Sequence, residues 1–430
     1  MPKLKCKVKT INASLYRMPY SAMKILFIIP SYKPAYIYGG TTVVVSLLAE
    51  SLASHGHQVT VYTTTANGKN ELEVETGKEI IIDGVKVFYF KRITKDHSHI
   101  SPALWKKVFN TVRQFDVVHL HSWWSPCMVI TAGLCKLKGI KPVLSPHGMF
   151  CNYVLSANNK YKKQLLHFFT KPLLRNTFLH TSTRMEWNES QAMIEGGWKG
   201  AVLPNLVTLN SGTSTERIQN TSFTIGFISR IDPKKGIDIL IKALSKVSFD
   251  YRLKIAGSGD EDYINYLKEL SIKCCNADNI VWLGWKNDNE KFQFYNAIDL
   301  LALVSLNENF AVVVIESLSA GTPVLLSDQV GLSKYVEEKD LGWITSLEIS
   351  GVALALEQLY RDKEKQMAIQ KKAASIIQND YNIKTLTNEY VEFYNKIRSK
   401  KNKSETADFI KTKRELLYNR KLYPYEKNKL

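Results

Sequence analysis

No part of this 430-residue chain is long and apolar enough to span a membrane. The longest runs free of Asp, Glu, Lys and Arg, such as 117–135, contain His119, His121, Ser122, Ser125 and Pro126. Residues 1–22 carry lysines but no apolar stretch, so they do not read as a secretory leader. They are expected to form a disordered extension, with Met23 an alternative start. Cysteine is sparse. Cys6, Cys127, Cys135, Cys151, Cys274 and Cys275 show neither metal-ligand spacing nor the density of a disulfide framework, which points to a reducing, intracellular location. No G-x-G-x-x-G pattern follows a strand, which disfavours a dinucleotide. Acidic residues are also short: 40 Asp and Glu face 58 Lys and Arg, a net charge of +18. Such an excess suits a polyanionic partner, whether nucleic acid, an acidic membrane surface or a phosphorylated substrate. Nucleic acid is disfavoured, because no reader motif or aromatic–basic interleaving accompanies the charge.

What is present is a repeated alternation of short apolar strands with helical patterns. "KILFII" (24–29), "QVTVYT" (58–63), "KVFYF" (86–90), "DVVHL" (116–120), "PVLS" (142–145) and "FLHT" (178–181) read as strands, with amphipathic segments such as 41–55 and 126–138 between them. Asp83-Gly84 reads as a hairpin turn. The polar stretch 207–220 reads as a linker, after which the pattern restarts at "SFTIGFIS", "YRLKIAG", "NIVWLG", "DLLALVS" and "PVLLSD". Helical periodicity runs through 351–378 and again through "IKTLTNEYVEFYNKIRS". Residues 400–430, with ten Lys/Arg against four Asp/Glu, read as a basic tail. The expectation is an α/β protein of two doubly wound, Rossmann-like domains, 23–206 and 221–380, facing a central cleft. A helix at 381–399 is expected to pack back on the first domain.

Strand ends in such sheets carry ligands, and each offers candidates here. Gly39-Gly40 precede a helix, where backbone N–H groups and the helix dipole favour a phosphate. Arg230 follows a strand and Lys235 approaches a helix; together they could clamp a diphosphate. His119 and His121 share one strand face and suit structural or cleft-lining roles, whereas His147 should sit at the cleft mouth, with a satisfied structural histidine the alternative. Glu308 and Glu316 lie eight positions apart around an apolar run, and buried carboxylates need partners. Asp260, Glu261 and Asp262 open a helix and read as N-terminal caps, not metal ligands. The stretch 160–175 has five basic residues, no acidic ones and many large apolar side chains, a composition that suits either an anionic membrane surface or a half-buried helix.

These residues resemble retaining glycosyltransferases of family 4, which have the GT-B fold. The matching motifs are "GG" after the first strand, "SPHG", "GFISRIDPKKG", "AGSGDEDY", "VWLGW" and "ENFAVVVIESLSAGTPVLLSD", spread over roughly residues 23–398. The resemblance implies an acceptor-binding first domain and a second domain that binds a nucleotide-sugar. It implies catalytic roles for Glu308, His147, Arg230 and Lys235. Donor contacts would come from Gly39, Gly40, Arg230, Lys235, Glu308, Asn309, Phe310, Ala311 and Glu316, with Glu308 on the sugar and Glu316 on the ribose. Two departures stand out: Ala311 replaces the usual glycine, and Leu206 follows Asn205 where Asn-Gly-Val is common.

The expected function is transfer of a sugar, with retention, from a nucleotide-sugar (a UDP-sugar first, a GDP-sugar second) to a glycan or lipid-linked acceptor in polysaccharide or glycolipid synthesis. No cofactor and no metal are expected. The protein is expected to be cytoplasmic, with peripheral contact to the inner face of a membrane as a further option. A sugar-nucleotide epimerase of the same fold and a non-catalytic nucleotide-binding module are the alternatives. The first wants further acid–base carboxylates, which the sequence does not place.

Overall fold

The structure, a computed structural model, describes residues 21–156, 168–194, 197–210, 220–274 and 277–400. The expected N-terminal extension up to Ala22 lies almost wholly outside these residues, as do most of the linker, the basic tail and the first half of the 160–175 segment.

Sixteen strands form along the described chain: β1 (Lys24–Ile28), β2 (Gln58–Thr64), β3 (Ala66–Asn67), β4 (Asn70–Glu71), β5 (Glu79–Ile82), β6 (Val85–Phe90), β7 (Val117–His121), β8 (Val143–Ser145), β9 (Phe178–Thr181), β10 (Gly200–Val202), β11 (Phe223–Ile228), β12 (Tyr251–Ala256), β13 (Ile280–Gly284), β14 (Leu300–Leu303), β15 (Val324–Ser327) and β16 (Gly342–Thr345). Eight make one sheet, ordered β10-β9-β8-β7-β1-β2-β6-β5, and six make a second, ordered β13-β12-β11-β14-β15-β16. Strands such as β1 and β11 are buried almost throughout, because helices cover both faces of a parallel sheet. The first sheet is parallel except for β5, which pairs antiparallel with β6 through the Asp83-Gly84 turn. Both turn residues have positive φ, 50° and 82°, as a two-residue hairpin of this hand requires.

In each sheet the strand order reverses beside a central strand, β1 in the first and β11 in the second. Ligands bind such sheets at these switch points, beyond the strand C-termini. The loops there hold Gly39-Gly40 after β1, and Arg230 to Lys235 after β11, with Glu308 after the neighbouring β14.

Two readings of the sequence are corrected. The continuous helix expected over 351–378 is two helices, Ile349–Arg361 and Lys363–Asp380. Asp362 divides them, its side chain capping Lys365 N at 3.0 Å. The edge strands β10 and β16 were absent from the strand reading. The last helix, Ile383–Lys400, lies against the first sheet and the helix Gly40–Ser54: Thr387 Oγ1 is 2.6 Å from Ser51 Oγ, and Tyr394 OH is 2.8 Å from His119 Nδ1.

Candidate functional site

Gly39, with φ 71°, caps the helix Gly40–Ser54. A Cβ at Gly39 or Gly40 would meet no atom within 4 Å. Gly39 is therefore set by its backbone angle, and the helix start is left open to the cleft side of β1. Gly236 is a different case. Its φ is 67°, and a Cβ would stand 2.1 Å from the carbonyl oxygen of Val304, so only glycine fits.

That close approach brings two loops together. Asp232 Oδ1 accepts from Lys234 N at 3.0 Å, shaping the turn, and Leu306 N donates to Lys234 O at 2.8 Å. Lys235 Nζ consequently meets the carboxylate of Glu308 in an ion pair. Glu308 is held by its own backbone: its N–H donates to Gln329 O at 3.0 Å, and its carbonyl accepts from Gly331 N at 2.7 Å. Arg230 stands apart from this pair. Its Nε is 3.8 Å from Asp232 Oδ2 and its side chain is 62% exposed.

The loop of Glu308 also reaches the first sheet. Asn309 Nδ2 donates to Ser182 Oγ at 3.1 Å, and Cys151 Sγ to Asn307 Oδ1 at 3.2 Å. Glycines bracket Asn309: a Cβ at Gly331 would stand 1.9 Å from its carbonyl oxygen, and one at Gly148 would stand 3.1 Å from its Cβ. Beside it, His147 adopts φ 52° and Gly148 φ 77°. Glu186 holds this turn, its carboxylate accepting from Gly148 N at 2.7 Å and Ser182 N at 2.9 Å. Burial raises the Glu186 carboxyl pKa, and those donors oppose the rise. His147 Nε2 lies 3.1 Å from His121 Nδ1, the rings stacked at 5.4 Å. Burial pushes the His147 imidazole down to about 3.

Glu316, five residues into the helix Val312–Ser319, is fully engaged. Lys291 Nζ is 3.2 Å from its Oε1, and Tyr295 OH donates to its Oε2 at 2.7 Å. Lys291 and Glu316 border a small cavity of ≈ 40 Å³ with Val43, Leu47, Leu206 and Val207. The unusual Leu206 is thus a buried wall of that cavity. Phe310 turns inward, edge-on to Tyr381 at 6.2 Å, so only its backbone remains for a ligand. Ala311 caps the same helix at φ 61° and ψ 75°. A left-handed conformation costs a Cβ-bearing residue about 1 kcal/mol, so Ala311→Gly is expected to raise unfolding stability by roughly that amount. Urea denaturation of both proteins checks it; an unchanged or lower midpoint would refute the strain. At Asp260, Oδ1 accepts from Tyr263 N at 3.2 Å, the capping geometry its position suggested.

The profile of the family Glycosyl transferases group 1 matches residues 214–376, and that of Glycosyltransferase Family 4 matches residues 38–184, together well over half of the chain. The chain belongs to the group 1, family 4 type of glycosyltransferases. This transferase is 24% identical over 393 residues to an uncharacterized glycosyltransferase of Methanocaldococcus jannaschii, covering 86% of the chain and 98% of the relative. It is 25% identical over 367 residues to a D-inositol 3-phosphate glycosyltransferase of Corynebacterium aurimucosum, covering 77% and 85%. Among solved structures it superposes on Anabaena HepE in complex with UDP and glucose with a TM-score of 0.67, at 22% identity, over 87% of the chain and all of HepE. Against sucrose-phosphate synthase of Thermosynechococcus elongatus the TM-score is 0.70 at 16% identity, over 88% of the chain and all of that protein. The architecture is GT-B.

Sequence reasoning paired Lys235 with Arg230 and set His147 at the cleft mouth; in the transferase Lys235 instead meets Glu308, while Arg230 lies toward Asp232. That reasoning overlooked Glu186, Ser182, Asn307, Lys291 and Tyr295. A signal existed for Glu186: Thr183 followed three residues later by Glu reads as a capping box. Thr183 does cap Glu186 N at 3.2 Å, but the carboxylate goes to Gly148 and Ser182 instead.

Proposed function

We propose that the transferase moves a sugar, with retention at C1, from a nucleotide-sugar to a glycan or lipid-linked acceptor in polysaccharide or glycolipid assembly. A UDP-sugar is the first choice of donor and a GDP-sugar the second, with no metal required. The observation that carries the reading is the Lys235–Glu308 pair at the loop-to-helix junction of the second sheet. On donor binding, Lys235 would turn to the diphosphate, with Arg230 and the bare helix start at Gly40 adding positive potential. Glu308, released, would hold the sugar hydroxyls and favour the cationic character at C1. The C1–O bond to phosphate breaks as the acceptor oxygen bonds to C1, and the leaving phosphate takes the acceptor's proton. Glu316 would reach the ribose by exchanging one of its present partners, Lys291 or Tyr295. UDP and glucose bound to HepE, a neighbour of the same fold, support the UDP preference.

The acceptor's setting is suggested by charge. Residues 97–185 carry twelve Lys and Arg and one acid, Asp116. Around the helix ends of the first domain, Phe109, Leu137, Phe168 and Phe169 are exposed among these bases, and Lys138 Nζ sits 3.3 Å over the Phe109 ring. A basic, apolar face of this kind suits an anionic bilayer carrying a lipid-linked acceptor. Among the described residues no helix is long and apolar enough to cross a membrane. The test is calorimetry and turnover of the full chain with UDP-, GDP- and ADP-sugars, in EDTA, with and without phosphatidylglycerol vesicles. Binding and slow hydrolysis of one donor class, and sedimentation with the vesicles, are expected. Absence of any donor binding would sink the enzymatic reading, and no vesicle association the membrane part.

A further inference from the structure

Four histidines, His119, His121, His147 and His180, form a buried group between the last helix and the Glu308 loop. Burial lowers every one of them, His180 to about 4, so all are neutral near pH 7. A neutral imidazole has one N–H and one lone pair, so each partner dictates the next. His180 Nε2 lies 3.1 Å from the carbonyl of Leu203, which can only accept, and 3.0 Å from Tyr390 OH, which itself donates to the carbonyl of Pro204 at 3.2 Å; both contacts are met when that nitrogen carries the proton. His180 Nδ1 must then accept from Ser145 Oγ at 2.5 Å. Ser145, having donated, accepts from His119 Nε2 at 2.6 Å, and His119 Nδ1 accepts from Tyr394 OH at 2.8 Å. The chain runs one way, from Tyr394 to Leu203.

His121 stands beside this chain, its ring centroid 4.1 Å from that of His119, but shares none of its hydrogen bonds. Its Nε2 is buried without a partner, while its Nδ1 faces His147 Nε2 at 3.1 Å. Two assignments are open. If His147 donated, His121 would keep its own proton on the orphaned Nε2, leaving a buried N–H unpaired. If His121 donates from Nδ1, only a lone pair is orphaned. Unpaired buried N–H groups are the rarer and costlier case, so the second assignment holds. His147 thus accepts at Nε2 and carries its proton on Nδ1, a nitrogen with no hydrogen-bond partner among the described residues. Its backbone is fixed independently, by Glu186 through Gly148 N.

We propose that His121 is a positioning residue that fixes His147 as the Nδ1–H tautomer, so that the transferase presents a neutral N–H donor to a sugar or phosphate oxygen in the cleft. Nδ1 has no lone pair in this tautomer, so His147 is a hydrogen-bond donor and not the acceptor's base. The functional half rests on the reading that His147 faces the donor; the tautomer does not.

The variants His121→Asn and His121→Asp separate position from proton. Asn places an N–H near the original Nδ1, whereas Asp places an acceptor there and pulls the His147 proton to Nε2. Two-bond ¹H–¹⁵N spectra of histidine-labelled full chain at pH 7.5 should show His147 protonated at Nδ1 in the wild type and in His121→Asn, and at Nε2 in His121→Asp. With the preferred donor, kcat should fall about ten- to a hundredfold in His121→Asp, the scale of losing a partner behind a functional imidazole, with donor KM little changed. His121→Asn should recover most of kcat. Wild-type protonation at Nε2, or equal losses in the two variants, would overturn the proposal. If no donor is turned over, the spectra alone decide the tautomer. If His121→Asp does not fold, His121→Gln, whose amide cannot reach His147 Nε2 from the Nδ1 position, takes its place and is expected to lose kcat likewise.

Discussion

Glu308→Gln is expected to cut sugar transfer by about a thousandfold while leaving nucleotide binding within a few-fold of wild type, because removing one preorganised group from a charge-developing centre costs on that scale. The substitution keeps shape and hydrogen-bonding capacity but removes the negative charge that would face C1. It also frees Lys235, whose partner in the unliganded site is this carboxylate. An uncompensated lysine beside the proposed diphosphate subsite should bind UDP at least as well as before. Lys235→Met should do the opposite: it weakens UDP binding and leaves Glu308, whose side chain is 19% exposed, half-buried without its cation. Single-turnover kinetics and calorimetry with UDP on both variants check the contrast. Near-normal transfer by Glu308→Gln, or an unchanged UDP affinity in Lys235→Met, would contradict the assigned roles.

Stability is expected to collapse between about pH 6.5 and pH 5, well above the usual range of acid unfolding, since imidazoles ordinarily titrate near pH 6.5. The sign follows from the histidines. His119, His121, His147 and His180 are all held below their ordinary value by burial, and so are His57 and His99. Below about pH 6.5 the unfolded chain takes up protons that the folded chain refuses, so stability present above that pH is lost as pH falls. Each such histidine contributes a slope of about 1.4 kcal/mol per pH unit. Glu186 works the other way, because its raised pKa lets the folded state bind a proton as pH drops, but it is one group against several. Urea midpoints at pH 7.5, 6.5 and 5.5 should fall steeply, and the Asn variant of His121 should flatten the curve. A midpoint constant across that range would show that these histidines are hydrated.

Much of this was legible in the chain. Strands such as β1, β14 and β15 lie within a residue or two of their apolar runs, because burial on both faces writes itself as a nearly uninterrupted hydrophobic word. The edge strands β10 and β16 did not stand out; three or four residues opening with glycine look like a turn. The break at Asp362 was hidden because amphipathic periodicity continues across it and only the cap marks the boundary. In the site, each residue type was readable but the pairings were not. Lys235 and Glu308 are 73 positions apart, and Cys151 and Asn307 are 156 apart; no local pattern encodes such meetings. Glu316 shows the limit most clearly. Its need for partners was evident from burial, yet Lys291 and Tyr295 come from a helix that the sequence reading left unnamed.

The last helix carries one more consequence. By returning to the first sheet, it makes the chain pass between the two domains twice, once after β10 and once at Tyr381 before Ile383. A body tied at two points swings like a door on two hinges. Any opening of the cleft is then largely a rotation about the line joining those crossings, with sliding and twisting suppressed. One hinge pin is not inert. Tyr381 packs edge-on to Phe310, two residues from Glu308, so a rotation at this crossing would bear directly on the loop that carries Glu308.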